Sequence, residues 1–425
     1  MNFTILPNLI ALAVLVAVFW GISRKATSER LYLWLAGWVL VLLHFTAQFL
    51  SGGNGTWSRI ATAASINLLV LASIAFLISV SVIASSRNRQ ITLALSTAVP
   101  AIAYTSGAIW GVTVSGYYYG LIAAGVVAPL LWCWGYFPRR RRLTNVLAGL
   151  IAAGGIMSWA VAHGLAAAGI TIILAASNFV VAILYWNSYR RSTAGVITAV
   201  AGFALWGSVF PIAISLAIFF PAVKVEGEVW NIPKYLVAVG MILTLLEDQI
   251  ETSKYLAYHD ELTGLPNRRL LEDRLARALA YAFRAGTKVA VLQLDLDRFK
   301  EINDTYGHRV GDVALREVVA RLATCIQPGD TLARSGGDEF TVISYVKDLN
   351  AAKTLVAALE LTLSPPVHID GHEVQTGLSI GVALYPDDGS NPDQLHSAAD
   401  RAMYTVKRAT RAPTAEAEAV SQVSI

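Results

Sequence analysis

Long apolar runs recur through the first 250 residues of this 425-residue chain and constrain its fold more than any other feature. Each run is close to the ~20 residues that an α-helix needs to cross a bilayer. Backbone groups inside lipid must be paired within the structure, which favours helices over irregular segments. We predict nine membrane-spanning helices, at residues 4–23, 31–50, 60–84, 92–113, 116–136, 143–162, 165–186, 196–221 and 233–247.

Basic residues between these runs predict the orientation of the chain, because cytoplasmic loops are enriched in Lys and Arg. An odd number of spans then places the N-terminus outside and everything after the ninth helix in the cytoplasm. The first run lacks a basic leader and a small-residue cleavage site, so we expect a retained helix. Of the 14 Lys and Arg residues in 1–246, 11 follow the first, third, fifth or seventh run: Arg24, Lys25, Arg30, Arg87, Arg89, Arg139–Arg142, Arg190 and Arg191.

The acidic residues lie almost entirely in the rest of the chain. Residues 1–246 contain three, Glu29, Glu226 and Glu228, whereas the whole chain has 29. The net charge of +4 therefore reflects loops beside a membrane and does not indicate a nucleic-acid-binding protein. We expect contacts with membrane lipid and none with nucleic acid.

The apolar half carries few residues that suggest chemistry. His44 and His163 could ligate a haem, but each stands alone in its run, which favours a polar residue in helix packing. The two cysteines, Cys133 and Cys325, indicate neither a disulfide nor a metal site.

Residues 235–258 connect the apolar half to the rest of the chain. Apolar residues recur there at helical spacing, so we expect the last membrane helix to continue as a signalling helix. It would join a membrane sensor region at 1–234 to a soluble domain at 259–411. The helix could transmit a rotation or serve as a passive tether. Segment 412–425, rich in Ala, Glu and Ser, is expected to be disordered.

The soluble part alternates helix-like and strand-like segments, which predicts an α/β domain. Helical spacing of apolar residues predicts helices at 268–285, 311–326, 350–363 and 392–409. Strands are predicted at 288–295, 331–334, 340–345, 366–370 and 374–385.

The turn between the strands at 331–334 and 340–345 has the composition of a phosphate and metal site. Gly336 and Gly337 permit a tight turn and leave room for a phosphate. Asp338 and Glu339 follow, and such carboxylates can hold a divalent cation or move a proton. Asp295, which ends a buried strand, would lie beside them. Taken alone, the turn could be a solvated hairpin tip and Asp295 a helix N-cap.

Four stretches in a fixed order carry a family resemblance. They are Asp260–Arg269 (DELTGLPNRR), Asp295–Asp304 (DLDRFKEIND), Ala333–Phe340 (ARSGGDEF) and Leu378–Ala383 (LSIGVA). Over about residues 255–411 the chain resembles the GGDEF family of diguanylate cyclases. The resemblance implies a central, mostly antiparallel sheet with helices, akin to the palm of nucleotide polymerases.

The resemblance also implies roles for single residues. It implies Mg²⁺ or Mn²⁺, two ions per active site, held by Asp295, the Leu296 carbonyl, Asp338 and Glu339. Asp338, Glu339 and Lys300 are expected to be catalytic. Glu339 would either join the metal site or help to deprotonate the attacking 3′-hydroxyl. The expected substrate-binding residues are Phe299, Asn303, His308, Asp312, Gly336, Gly337, Lys407 and Arg411.

The function implied is that of a membrane-anchored diguanylate cyclase. Two GTP molecules would condense into cyclic di-GMP and two pyrophosphates in a face-to-face homodimer, regulated through the membrane region. The protein would be a multi-pass protein of the bacterial inner membrane with a cytoplasmic catalytic domain. Asn303 and Asp312 complement the edge of guanine, which favours GTP. The alternative is a degenerate domain that binds GTP without turnover.

One window departs from the family pattern. Many relatives carry Arg-x-x-Asp upstream of the glycine turn as an inhibitory product-binding site, whereas this chain has Gln327–Asp330 (QPGD). Without a guanidinium fork, bidentate recognition of guanine or phosphate should fail. We therefore expect weak or absent inhibition by cyclic di-GMP at this site.

Overall fold

The chain forms two compact units, Met1–Gln249 and Ile250–Ile425, which are described separately. The structure, a computed structural model, describes residues 3–24, 29–52, 55–80, 87–136, 144–189, 191–223, 225, 229–369 and 372–422.

Nine α-helices in the described part of the first 258 residues coincide with the nine apolar runs. They are α1 (Leu6–Ser23), α2 (Glu29–Leu50), α3 (Thr56–Val80), α4 (Arg87–Trp110), α5 (Ser115–Tyr136), α6 (Thr144–Ala162), α7 (Ala168–Tyr189), α8 (Ala194–Phe219) and α9 (Ile232–Tyr258).

Within the described residues, seven of these helices are long and apolar enough to cross a membrane, namely α1–α4 and α7–α9. The expected region of apolar helices is thereby confirmed, while the number of nine spans stays a prediction. Lys25, Arg139–Arg142 and Arg190 lie outside the described residues, so the orientation stays a prediction as well.

Aromatic side chains fill the centre of the first unit. Trp38 is fully buried and its ring lies 5.4 Å from that of Phe76, which in turn lies 5.7 Å from Phe203. Helices α8 and α9 approach closely where both carry glycine: a Cβ at Gly240 would lie 2.2 Å from Ala199 N. Small residues at such a crossing let the two backbones pack directly.

The second unit is built on an antiparallel sheet of strand order β2-β3-β1-β6, with a separate two-stranded sheet β4-β5. The expected mostly antiparallel sheet is confirmed. The strands are β1 (Lys288–Asp297), β2 (Thr331–Gly336), β3 (Glu339–Val346), β4 (Val367–Ile369), β5 (His372–Val374) and β6 (Gly377–Tyr385). The helices are α10 (Arg268–Ala285), α11 (Phe299–Tyr306), α12 (His308–Ala323), α13 (Leu349–Leu363) and α14 (Pro392–Gln422).

Alternation along the central strand β1 divides the core between the two faces of the sheet. Leu292, Leu294 and Leu296 pack on one face with residues of α11, α12 and α13. Val289 and Val291 pack on the other face with residues of α10 and α14. Asp295 therefore projects from the α10–α14 face, two positions along from Gln293, while its neighbour Leu296 is buried on the opposite face.

Three features differ from the sequence prediction. The structure adds the eight-residue helix α11 directly after β1. The single strand predicted at 374–385 is wrong, because the chain breaks after Val374 and only Gly377–Tyr385 joins the main sheet. Helix α14 continues to Gln422, across most of the segment 412–425 that composition predicts to be disordered. Ala and Glu, frequent in that segment, are strong helix formers.

Candidate active site

Two neighbouring strands bring acidic residues together at one end of the sheet. Asp295 of β1 lies directly opposite Glu339 of β3 in the antiparallel register, so their side chains share one face. Leu296 N donates to the carbonyl oxygen of Asp338 at 3.2 Å, which ties the turn to the end of β1. The strand pairing thus places Asp295, Asp338 and Glu339 in one region.

Asp295 is the buried member of this group, with 5% of its surface exposed. Its Oδ1 lies 2.5 Å from the ammonium nitrogen of Lys407, which reaches the sheet from α14. A buried carboxylate needs such a partner, because an unpaired charge away from water is strongly unfavourable. Lys407, predicted to reach the substrate phosphates, is thus paired in the structure with a predicted metal ligand.

Burial and neighbouring negative charge both act on the Glu339 carboxyl. Partial burial raises the pKa of the Glu339 carboxyl above its ordinary value, and the charges of Asp295 and Asp338 add to the shift. Asp400 of α14 raises this pKa further, whereas Lys407 lowers it. A carboxyl whose ionisation is opposed by burial and by neighbouring negative charges is one that a bound cation would stabilise in its charged form.

Asp400 is a residue that the sequence reasoning missed. It precedes Lys407 by seven residues, and positions seven apart lie on the same side of a helix, so α14 presents both to Glu339. That spacing was the available signal. The spacing places Asp400 at the site only if that face of α14 covers the sheet, and which face does so is decided by tertiary packing.

The glycine turn is held in a defined shape. The pairing of β2 with β3 shifts register between Arg334 and Gly336, which leaves Ser335 as a bulge. Gly337 has φ +30°, a conformation that side chains rarely adopt. A Cβ at Gly336 or Gly337 would meet no atom within 4 Å, so the turn has open space on its outer side. A ligand group can therefore approach the backbone closely there.

Arg334 clamps this turn to the start of the domain. Its guanidinium donates to the Gly337 carbonyl oxygen from Nε at 3.0 Å and from Nη2 at 2.6 Å. Nη1 of the same group donates to Asp260 Oδ1 at 2.8 Å, and Asp260 also accepts from the backbone N–H of Thr263 at 2.9 Å. Asp260, which begins the first of the four stretches that carry the family resemblance, is thus linked to the glycine turn through Arg334.

A second cluster lies on α11 and α12. Arg298 has φ +58° where β1 gives way to α11, so the chain turns sharply before Phe299 and Lys300. Phe299 is buried in the core, while Lys300 is exposed. Of the two predicted residues at this turn, Phe299 can therefore contact a ligand through its backbone, and Lys300 through its exposed ammonium group.

Asn303 is packed against the N-terminal turn of α12. A Cβ at Gly311 would lie 1.9 Å from Asn303 Oδ1, so a larger residue there would displace the Asn303 side chain from this position. Asp312, the next residue, and His308 are exposed on α12. The structure therefore brings Asn303 beside the backbone that carries Asp312. Arg411, the remaining predicted substrate residue, has its side chain outside the described part of the chain.

Residues Gln327–Asp330, which replace the Arg-x-x-Asp of many relatives, form a tight turn. Asp330 Oδ2 accepts from the backbone N–H of Gln327 at 3.2 Å, and Asp330 N donates to the Gln327 carbonyl at 3.0 Å. Gly329 has φ +107°. The Asp330 carboxylate is therefore already used in shaping its own turn.

The donor set fits a hard divalent cation. Carboxylate and carbonyl oxygens are the ligands that Mg²⁺ prefers, and it usually takes only one or two carboxylates together with water and substrate phosphates. Because the Leu296 side chain is buried in the core, only its backbone is available to a ligand at this site. Among the described residues, no group of three or more His, Cys, Asp or Glu side chains is placed to hold a metal ion, and this includes the three carboxylates of Asp295, Asp338 and Glu339.

The part of the chain that carries this site is similar to proteins with a GGDEF domain. The family model that matches, at residues 257–413, is described as diguanylate cyclase, GGDEF domain. The bifunctional diguanylate cyclase/cyclic di-GMP phosphodiesterase MucR of Pseudomonas aeruginosa is 41% identical over 186 residues, which are 40% of this chain and 27% of MucR. Diguanylate cyclase TpbB of the same species is 41% identical over 172 residues, 39% of each chain.

A solved structure is also similar to part of this chain. The sensory box/GGDEF family protein from Caulobacter crescentus CB15 is 43% identical and covers 36% of this chain and 99% of that chain, with a TM-score of 0.35. The match to the two curated relatives spans 27% and 39% of their own lengths.

Proposed function

Residues 257–413 are a GGDEF domain, and from this premise we propose that the protein is a membrane-anchored diguanylate cyclase. It would condense two GTP molecules into cyclic di-GMP with release of two pyrophosphates. The membrane unit would anchor the domain at the cytoplasmic face of the bacterial inner membrane and regulate it through α9.

The observation that carries the proposal is the meeting of carboxylates from β1 and from the glycine turn. Asp295 and Glu339 are register partners, and Asp338 is bonded through its carbonyl to Leu296 N. These elements lie about 40 residues apart in sequence, so their convergence is a property of the fold. The pKa of Glu339 is raised by burial first, and the charges of Asp295 and Asp338 add to that shift.

Residues of β1, α11 and the glycine turn would bind the metal ions and the triphosphate. Asp295, Asp338, Glu339 and the Leu296 carbonyl would hold Mg²⁺ or Mn²⁺. When bound, the metal ions would offset charge on the triphosphate and lower the pKa of the attacking 3′-hydroxyl. Lys300, exposed beside the end of β1, would meet the phosphates as a point charge. Gly336 and Gly337 would let the turn approach the nucleotide without steric hindrance.

Guanine recognition is assigned to α11 and α12. Asn303 and Asp312 offer donors and an acceptor that complement the guanine edge. Their proximity through Gly311 supports this assignment. His308 would lie near the bound nucleotide.

Each active site would process one GTP, so a productive reaction requires two domains face to face. Each 3′-hydroxyl must attack the α-phosphate of the opposing nucleotide, which sets a two-fold arrangement. We therefore propose a homodimer as the active species.

Turnover of GTP by the full-length protein in lipid tests the proposal. We expect Mg²⁺-dependent formation of cyclic di-GMP and pyrophosphate in a ratio of one to two, and none from Asp338→Ala. Glu360→Ala, which removes an exposed acid on α13, should behave as the wild type. Equal product from the wild type and Asp338→Ala would refute the role of the turn.

A second candidate is a GTP receptor without turnover. The Lys407–Asp295 pair favours it, since an ammonium 2.5 Å from Oδ1 takes that oxygen out of an ion site. The same assay separates the two functions: a receptor would bind GTP in equilibrium dialysis and form no product.

We further propose that the product inhibits this enzyme weakly or not at all through the window Gln327–Asp330. Support comes from the absence of a guanidinium there and from the use of Asp330 within its own turn. Gln327→Arg should introduce non-competitive inhibition by cyclic di-GMP that the wild type lacks. Inhibition of the wild type that disappears in Asp330→Ala would contradict the proposal.

A further inference from the structure

A cavity of about 840 Å³ lies within the first unit, at the end of the helix bundle where α9 begins. Its walls come from six helices: the first turns of α1 and α9, the last turns of α2, the middle of α3 and α8, and the first half of α7. Cavities of this size with mixed lining are typical of small-molecule sites. The described lining residues include aromatic rings, amides and a single lysine.

That lysine, Lys234, is 8% exposed. Its ammonium donates to Asn231 Oδ1 at 2.5 Å and lies 4.7 Å from the ring centre of Phe45 and 5.8 Å from that of Trp206. Neutral amides and aromatic faces stabilise a cation less than a negative charge does. No Asp or Glu occurs among the cavity-lining residues that the structure describes.

An ammonium buried among apolar helices is costly unless something balances it. Here the cavity itself lies next to the charge, with aromatic walls from Trp206, Phe210 and Trp230. The polar groups around it include Gln48 and His44, whose Nδ1 lies 2.8 Å from both the carbonyl and hydroxyl oxygens of Ser65. His44 is thus held against Ser65 of α3.

We propose that this cavity binds an organic anion with an apolar body, and that Lys234 is its counter-ion. The anionic group would meet the ammonium, and the aromatic walls would cover the apolar part. The source could be a soluble organic acid or the headgroup of an anionic phospholipid, which share this chemistry. The site is independent of the catalytic chemistry proposed above.

Lys234 lies on the helix that connects the two units, so anion binding there could affect the second unit through α9. Lys234 lies in the first turn of α9, and α9 continues to Tyr258, where the second unit has begun. Near its other end, Glu247 accepts from Thr193 Oγ1 at 2.5 Å and from Gly195 N at 3.0 Å, which caps α8. A ligand at Lys234 would therefore act on a helix that is packed against α8 from Val237 to Glu247.

Equilibrium dialysis of radiolabelled benzoate against the full-length protein in phosphatidylcholine nanodiscs tests the site. Benzamide, the neutral isostere, is the matched probe. We expect saturable benzoate binding at least tenfold tighter than benzamide binding. Lys234→Met should abolish this preference, and Lys234→Arg should keep it. Lys254→Met, an exposed lysine further along α9, should leave it unchanged.

A second variant guards against misfolding of Lys234→Met. Gln48→Glu keeps Lys234 and adds a carboxylate to the cavity wall, so it should exclude benzoate while leaving the tryptophan emission of the unit unchanged. Displacement of benzoate by added phosphatidylglycerol would assign the site to a lipid headgroup, and indifference to that lipid would assign it to a soluble anion. Equal binding of benzoate and benzamide, no saturable benzoate binding, or wild-type binding by both Lys234→Met and Gln48→Glu would overturn the proposal.

Discussion

One ammonium group balances the most buried carboxylate of the candidate active site. Lys407 is 22% exposed and Asp295 8% exposed at the side chain, so their pair is only partly screened by water. If Lys407 is lost, Asp295 stays buried beside Glu339 and Asp338 without compensation. The balance of charge in the site therefore depends on α14 as well as on the two strands.

Lys407→Met should lower the free energy of unfolding by about 1–3 kcal/mol without Mg²⁺, because it leaves the Asp295 carboxylate without its hydrogen-bond partner. Added Mg²⁺ should restore part of the loss if the carboxylates bind it. Urea unfolding followed by circular dichroism, with and without Mg²⁺, measures both effects. Lys353→Met, on the exposed side of α13, is the control. A loss that Mg²⁺ does not reduce would contradict a cation site at these carboxylates.

Asp260 should make the second unit sensitive to acid. Burial opposes its ionisation, but hydrogen bonds from Thr263 and Arg334 outweigh burial, and the pKa of Asp260 is lowered. A lowered folded-state pKa gives stability that is complete above the unfolded value, near 4, and is lost as pH falls through the folded value.

Asp260→Asn should therefore lower the unfolding free energy by about 1–3 kcal/mol at pH 7, since a charged hydrogen-bond acceptor is lost. The difference from the wild type should shrink below pH 4 as Asp260 is protonated. Urea unfolding at a series of pH values measures this. Glu261→Gln, the exposed neighbour, should show no difference at any pH. A difference that is constant across pH would count against the charged pair with Arg334.

At the scale of helices and strands, most of the fold follows from local sequence. The nine apolar runs coincide with α1–α9 because hydrophobic length is a local property. Helix α11 and the separate strand β5 were not predicted, because eight and three residues are too few for periodicity to be read, whereas β4 lies within the strand predicted at 366–370. The break between Val374 and Gly377 likewise has no strong local signal in an apolar stretch.

The candidate site was predictable in part for the same reason. The glycine turn and Asp295 are local patterns, whereas the pairing of Lys407 with Asp295 joins residues 112 positions apart. The Lys234 cavity gathers residues from six helices, so it depends on the packing of the bundle. Such contacts are set by tertiary structure and leave little trace in any single segment.

The close contact of α8 and α9 makes a prediction at this scale. Gly240→Ala should lower the thermal midpoint of the first unit, because its Cβ would meet the Ala199 backbone, which cannot rotate away. Overpacking of this kind costs about 1–3 kcal/mol. Tryptophan fluorescence reports this unit alone, since all 11 tryptophans precede residue 231. Gly120→Ala in α5, where a Cβ meets nothing within 4 Å, should not lower the midpoint.

At the scale of the whole molecule, the proposed reaction needs two copies of the chain. Each copy would supply one complete set of Asp295, Asp338 and Glu339, and the product would form between them. The membrane unit and α9 would then control how often two catalytic domains meet, and an anion at Lys234 would act on that step.

A mixing experiment tests the requirement for two active copies. Wild type co-expressed with an equal amount of Asp338→Ala should give about a quarter of the activity of an all-wild-type sample, because only wild-type pairs work. Glu360→Ala in place of Asp338→Ala should leave activity unchanged. Half the activity would mean that each intact copy works independently of its partner, which would contradict the face-to-face arrangement.

The central claim is that carboxylates from β1 and from the glycine turn hold a divalent cation against a bound nucleotide. An experimental structure of the protein with a non-hydrolysable GTP analogue and Mg²⁺ tests it most directly. We predict an ion about 2.1 Å from carboxylate oxygens of Asp295 and Asp338, with Lys407 moved off Asp295 toward the phosphates. A bound nucleotide with no ion between these carboxylates, and with Lys407 still paired to Asp295, would contradict the claim.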